Sequence, residues 1–132
     1  MGSPVLDSFA VLVFLFKERG YQKLVNLFEQ AAETDAAVLI AAPNWAEVRY
    51  IVERKVGFER WAEVRGAILA LPLQIVAADQ SLAESAGAIK AATKMSLADC
   101  FAAALAKQQQ AEVYTGDPEF KAVEGEVKVV WL

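Results

Sequence analysis

Five short apolar runs constrain the fold of this chain more than anything else in it: PVLD at 4–7, AVLIAAP at 37–43, LQIVAA at 73–78, EVYTG at 112–116 and VKVVWL at 127–132. They are rich in Val, Ile and Leu and lack the alternation of apolar and polar residues that a half-wet sheet shows, so both faces must be covered. Between them lie segments with helical spacing: Tyr21–Glu33 (Leu24, Val25, Leu27, Phe28), Asn44–Lys55, Phe58–Leu71 after a break at Gly57, Asp79–Thr93, and Leu97–Gln110. Phe9–Lys17 reads equally as strand or buried helix, because VLVFLF has no usable period. Strands alternating with one or two helices predict an α/β fold, a parallel sheet of four to five strands between helices in a three-layer α/β/α sandwich. No repeat, linker or low-complexity stretch divides the 132 residues, which predicts a single domain over 1–132. A chain of that length buries roughly 68–70 % of its unfolded surface and needs no disulfide or metal staple.

Several classes of function are excluded by what is missing. One cysteine rules out an internal disulfide and any Cys-rich zinc site, and the absence of histidine removes the commonest general base. Chemistry must therefore run on carboxylates, hydroxyls, lysine or a bound metal. The longest apolar stretch, PVLDSFAVLVFLF, is interrupted by Asp7 and falls short of a membrane span. The N-terminus lacks the basic flank and cleavage site of a secretory leader, so a cytoplasmic protein without membrane contact is expected. The net charge of −4 argues against a basic nucleic-acid surface. The apolar fraction of 56 % exceeds what a core needs and suggests a homodimer interface around Val11–Phe16 and Trp61.

Four acids stand beside apolar segments: Asp7 in VLDSFA, Glu47 in NWAEV, Asp99 in SLADCF and Asp117 in TGDPEF. Three follow closely on an expected strand. In a parallel sheet the C-terminal ends of the strands share one edge, so these acids converge there. Converging carboxylates raise one another's pKa unless a cation lies between them. An all-carboxylate set without histidine suits a hard cation, Mg2+ or Mn2+. Setting these four acids aside leaves 13 basic against 13 acidic residues, a neutral shell around one negative spot. A divalent cation there would reverse the local sign and admit a phosphodiester.

Each acid also has a plainer reading. Asp7 and Asp117 suit helix N-caps, the latter with Pro118 at the first helical position. Asn44–Glu47 and Ser96–Asp99 both have the spacing of a capping box, in which the acid folds back on the cap's own N–H. At about 100° per residue Asp99 projects roughly 160° from Phe101, away from a Leu97–Phe101–Leu105 face. A carboxylate in a first helical turn is also held ionised by the helix dipole. Asp79 is the internal comparison, a cap after a strand with no expected chemistry. Arg49, Arg54, Lys55, Arg60 and Arg65 form a cluster that reads as phosphate contacts, a partner surface or a solvated face, since Arg49 pairs with Glu53 at i, i+4. Arg49 and Lys94 are the candidate substrate contacts; Lys90 shares the position of Lys94 ahead of Asp99. Trp45 and Tyr50 flank Glu47 and suit either base stacking or packing. Cys100 reads as a small buried residue.

V-L-D-S at the start, N-W-A-E-V after the second strand, S-L-A-D-C opening a late helix, T-G-D-P-E-F after the fourth strand and a V-V-W-L finish occur together in one order. In that order and spacing the chain resembles PIN domains (the PilT N-terminal type), in particular VapC toxins of prokaryotic toxin–antitoxin pairs, over essentially its whole length. The resemblance implies a sheet of order 3-2-1-4-5, whose switch point lies between strands 1 and 4, where ligands of open α/β sheets bind. It matches Asp7, Glu47 and Asp99 to the family's three core acids and Asp117 to a fourth. Ser8 and Thr115 match hydroxyls that orient such carboxylates. It implies a Mg2+- or Mn2+-dependent endoribonuclease cutting RNA, often tRNA or rRNA at one site, held in check by a VapB-like antitoxin and commonly dimeric. The alternatives are a PIN-fold module that binds RNA or protein without cleavage, or a PIN ribonuclease working in RNA processing outside a toxin pair.

Overall fold

A computed structural model describes residues 2–132. Its five strands, β1 (Val5–Leu6), β2 (Val38–Ala41), β3 (Leu73–Val76), β4 (Val113–Thr115) and β5 (Val129–Trp131), form one sheet of order β3-β2-β1-β4-β5. Every pairing is parallel, with Val5 beside Leu39 and Val113, and Leu6 beside Ile40 and Tyr114. The expected α/β class and strand order both hold.

Six α-helices cover the sheet: α1 (Ser8–Leu15), α2 (Tyr21–Glu33), α3 (Ala42–Val56), α4 (Phe58–Leu69), α5 (Gln80–Ala92) and α6 (Leu97–Gln109). A 3-10 helix, Pro118–Val123, joins β4 to β5. The period of two along each strand splits the core. Val5, Leu39, Ala41 and Val113 face Leu82, Ile89, Cys100, Leu105 and Phe120. Leu6, Val38 and Ile40 face Val13, Leu24, Phe28, Val48, Val52 and Ile68. In α6 Cys100, Ala102, Ala103, Ala104 and Ala106 are wholly buried, and side chains this small let the helix lie close on the sheet.

Three local readings change. The ambiguous Phe9–Lys17 stretch is a helix as far as Leu15; sheet, α2 and α3 take up most of its apolar surface, which leaves it without a polar face. Only its cap, Asp7, marks it as helical before the structure is seen. The third helix starts at Ala42, two residues before the expected Asn44, and takes Pro43 into its first turn, where a missing N–H costs nothing. Its N-cap is Ala41, so Asn44–Glu47 is no capping box. On α6 the expected apolar face is also wrong at its start. Leu97 is 54 % exposed while Asp99 is 6 % exposed, because α6 is enclosed by α5 and the sheet only from Asp99 onward, and Leu97 lies before that point. Among the residues advanced for an interface, Val11, Val13 and Trp61 are interior. Trp61 packs against Trp45 with ring centroids 5.6 Å apart and the rings tilted by 53°, so it is absorbed by the chain's own core. Among the described residues, no helix is long and apolar enough to cross a membrane.

Candidate active site

Beyond the C-terminal edge of β1 and β4, the two central strands at which the strand order reverses, lie Asp7 and Asp117. Asp7 does cap α1: its Oδ1 accepts the Ala10 N–H at 2.8 Å. Its Oδ2 accepts a bond from the Thr115 hydroxyl, which lies alongside because β1 and β4 are in register. The same hydroxyl accepts the Asp117 N–H at 3.0 Å, so one Thr side chain ties the ends of both strands together. Asp117 caps the 3-10 helix through the Glu119 N–H at 2.9 Å. Capping and ligation do not compete here, since each carboxylate oxygen carries a second lone pair.

Ser8 donates to Glu47 Oε1 at 2.8 Å, joining the first residue of α1 to the middle of α3. One turn before Glu47, Asn44 is wholly buried and donates through Nδ2 to the Ala98 carbonyl of α6 at 3.1 Å. This bond pins the helix carrying Glu47 to the helix carrying Asp99. Among the described residues no donor reaches Asn44 Oδ1.

The Ser96–Asp99 box is only half closed. Ser96 Oγ accepts the Asp99 N–H at 3.3 Å, as an N-cap should. The reciprocal bond does not come from Asp99, however. Ser96 N–H donates to Glu119 Oε1 at 2.9 Å, so an acid on the 3-10 helix supplies that half of the cap. The Asp99 carboxylate is left free to face Asp117 and Glu119. One ligand atom from each of Asp99, Asp117 and Glu119 lies within 4.8 Å of the others. Glu119 was missed in the sequence, although it sits two residues after Asp117 inside TGDPEF. Asp79, the comparison acid, caps α5 through the Leu82 N–H and does nothing else.

The electrostatics follow from this crowding. Burial pushes the Asp7 carboxyl up to about 7, against the bonds from Thr115 and Ala10; Asp117 and Glu47 add to the rise. Burial likewise pushes Asp99 up to about 8, helped by its hydrogen bonds with Glu119 and Asp117 and by the charges of Asp117 and Asp7. Glu119 moves the other way, held low chiefly by the Ser96 N–H. The structure thus brings Asp7, Glu47, Asp99 and Asp117 into one electrostatic neighbourhood, with Ser8 and Thr115 bonded to two of them. It does not bring in Arg49, which pairs with Glu53 at 3.3 Å and lies over Trp61. Lys94 is exposed in the turn before α6, and Lys90 is bonded to the Met95 carbonyl. Cys100 is buried as expected, and burial raises its thiol pKa.

The PIN domain family model matches residues 5–126. Among solved structures, the chain is similar to a toxin–antitoxin complex from Klebsiella pneumoniae at 25 % identity and a TM-score of 0.66, covering 97 % of this chain and 96 % of that one. It is similar in fold to VapBC2 of Rickettsia felis, crystallised with a promoter DNA fragment, at 17 % identity and a TM-score of 0.77 over 98 % of each chain. A third is VapC20 of Mycobacterium tuberculosis, a toxin that cleaves the sarcin–ricin loop, at 16 % identity and a TM-score of 0.67 over 96 % and 98 %. Comparison with curated proteins finds no match.

Proposed function

Because the chain belongs to the PIN domain family, we propose that it is a Mg2+- or Mn2+-dependent endoribonuclease, the toxin of a VapBC-type toxin–antitoxin pair. PIN domains and VapC toxins are nucleases, and the similar structures include toxin–antitoxin complexes. The observation that carries the reading is the crowded, self-opposing set of acids at the sheet's switch point, two of them, Asp7 and Asp99, buried. Burial lifts the Asp7 carboxyl to about 7 and the Asp99 carboxyl to about 8, with neighbouring acid charges adding to both, and a bound cation would let both ionise together.

The donor set fits such an ion. All the donors are carboxylates, three of them with oxygens within 4.8 Å, and neither sulfur nor imidazole is near enough to favour a softer metal. Asp99, Asp117 and Glu119 would hold it, with Asp7 and Glu47 closing the site from α1 and α3. When bound, the ion supplies Lewis-acid stabilisation of the phosphoryl charge and acidifies water for attack. The chain's own work is positional. Thr115 aims Asp7 and, through the Asp117 N–H, fixes the turn that presents Asp117. Ser8 holds Glu47 in the rotamer that faces the site. Asn44 fixes the separation of the helices carrying Glu47 and Asp99. The negative site repels RNA until it is charge-neutralised, which couples metal loading to substrate entry. The expected partners are an RNA substrate, tRNA or rRNA in kind, a VapB-like antitoxin and a second copy of the chain.

The test is RNA cleavage by purified protein with Mg2+, by wild type and Asp99→Asn. The expected result is cleavage abolished by Asp99→Asn or by EDTA, with Mn2+ restoring the chelated wild type and the circular dichroism spectrum unchanged. A folded Asp99→Asn variant that cuts as well as wild type would overturn the assignment.

A further inference from the structure

Phe9 is the anomaly beside the acid site. Its neighbours Ser8, Ala10 and Val11 are buried, yet this aromatic ring is 41 % exposed in the first turn of α1. It lies directly on Gly116, the residue between Thr115 and Asp117: a Cβ at Gly116 would stand 2.3 Å from Phe9 Cε1. A glycine at 116 is therefore required by the ring and not by the turn. On its other side the ring walls a cavity of about 230 Å3 lined by Val13, Glu18, Arg19 and Leu132. The cavity adjoins the site through Phe9, which stands two residues after Asp7 and lies against Gly116, the neighbour of Asp117.

The geometry points to a nucleobase subsite: the ring of Phe9 receives the base of the nucleotide next to the scissile phosphate, with Arg19 toward its backbone. This rests on the nuclease reading and adds where the substrate lies. Three features favour a base over a protein side chain. The cavity is smaller than the roughly 300–1,000 Å3 of ordinary small-molecule sites, which suits one planar ring system. Among the described residues, Arg19 makes no ion pair, so it is free to meet a phosphate. Glu18, the one acid in the lining, offers an acceptor to the N–H edge of a base. An exposed aromatic face beside a cation is the arrangement single-stranded nucleic acids use, and stacking on it tolerates any base.

The experiment measures binding without cleavage. Oligoribonucleotides carrying 2-aminopurine at each position in turn are titrated with the Asp99→Asn chain. One position is expected to be quenched. Phe9→Leu, which keeps the apolar packing on Gly116 but removes the π face, is expected to lose that quench and bind about tenfold more weakly. Phe9→Trp is expected to keep both, and Arg19→Ala to lower the log–log salt slope by about 0.7. Unchanged quench and affinity in Phe9→Leu overturn the subsite. So does a Phe9→Leu variant that binds RNA normally but loses its co-expressed antitoxin, since the cavity is then a protein contact. Wild-type protein that stacks RNA on Phe9 yet never cuts it sinks the nuclease reading alone. Wild-type protein that cuts while Phe9→Leu binds alike sinks the subsite alone.

Discussion

Stripped of divalent cations, this protein should lose stability as the pH rises, the reverse of the usual behaviour of buried carboxylates in ion pairs. The sign follows from Asp7. Its folded-state pKa of about 7 lies above the ordinary 3.8, so between those values the folded chain binds more protons than the unfolded one. Stability is then complete below pH 4 as far as this group is concerned, and is lost as pH climbs through 7. Each pH unit of separation is worth about 1.4 kcal/mol, so Asp7 alone costs on the order of 4 kcal/mol at pH 9. Asp99, raised to about 8, adds in the same direction and extends the window upward. Above pH 5 about two of those units remain to be lost, so for a domain of this size the Asp7 contribution lowers Tm by roughly 8–12 °C. The assay is thermal unfolding by circular dichroism between pH 5 and pH 9, in EDTA and in excess Mg2+ or Mn2+. In EDTA, Tm should fall across the window; with metal the fall should shrink, most at pH 8–9, where protons no longer compete. Asp7→Asn should make the EDTA curve shallower, leaving the part that belongs to Asp99. Its amide oxygen keeps the Ala10 N–H, but its amide hydrogens meet a Thr115 hydroxyl that already accepts from Asp117, at a pH-independent cost of about 1 kcal/mol. A Tm in EDTA that is flat or rises from pH 5 to pH 9, or an Asp7→Asn variant that retains the full slope, would refute the argument.

The other expectations are local. Ser8→Ala should lower divalent-metal affinity and cleavage together by about 10–100-fold, read by Mn2+ titration and RNA cleavage, because Glu47 loses the donor that orients it. Gly116→Ala should destabilise by about 1–3 kcal/mol in urea unfolding, since the added methyl and the Phe9 ring cannot both keep their places. Glu119→Ala should cost about 1 kcal/mol in the same assay by opening the Ser96 cap, whereas Glu119→Gln should leave stability nearly intact and weaken Mn2+ binding.

The sheet class was legible because it rests on a long-range regularity, runs apolar on both faces, and the acids could be picked out because they stand where such strands end; the strand order came only with the resemblance to PIN domains. What escaped notice was local geometry with two sequence-equivalent solutions. Asn44 has the identity and spacing of a cap, yet β2 ends at Ala41 and the helix begins before it, so Asn44 braces α6 instead. Glu119 was hidden because its backbone partner, Ser96, is 23 residues away; no spacing rule reports a cap closed from another element. Leu97 shares the i, i+4 spacing of Phe101 and Leu105, but the helix is enclosed only from Asp99 onward, so its first residue stays outside.

The alanine face of α6 also bears on how such a protein diversifies. From Cys100 through Ala106 only Phe101 retains any solvent contact, and the wholly buried alanines leave no room for even one added methylene without displacing the sheet. A saturation mutagenesis screen should find these positions almost closed to replacement. Changes in what the site accepts must then come from the periphery, on the exposed faces of α3 and α4 and around Phe9, where a substitution displaces little. The chemistry would stay frozen while its targeting drifts.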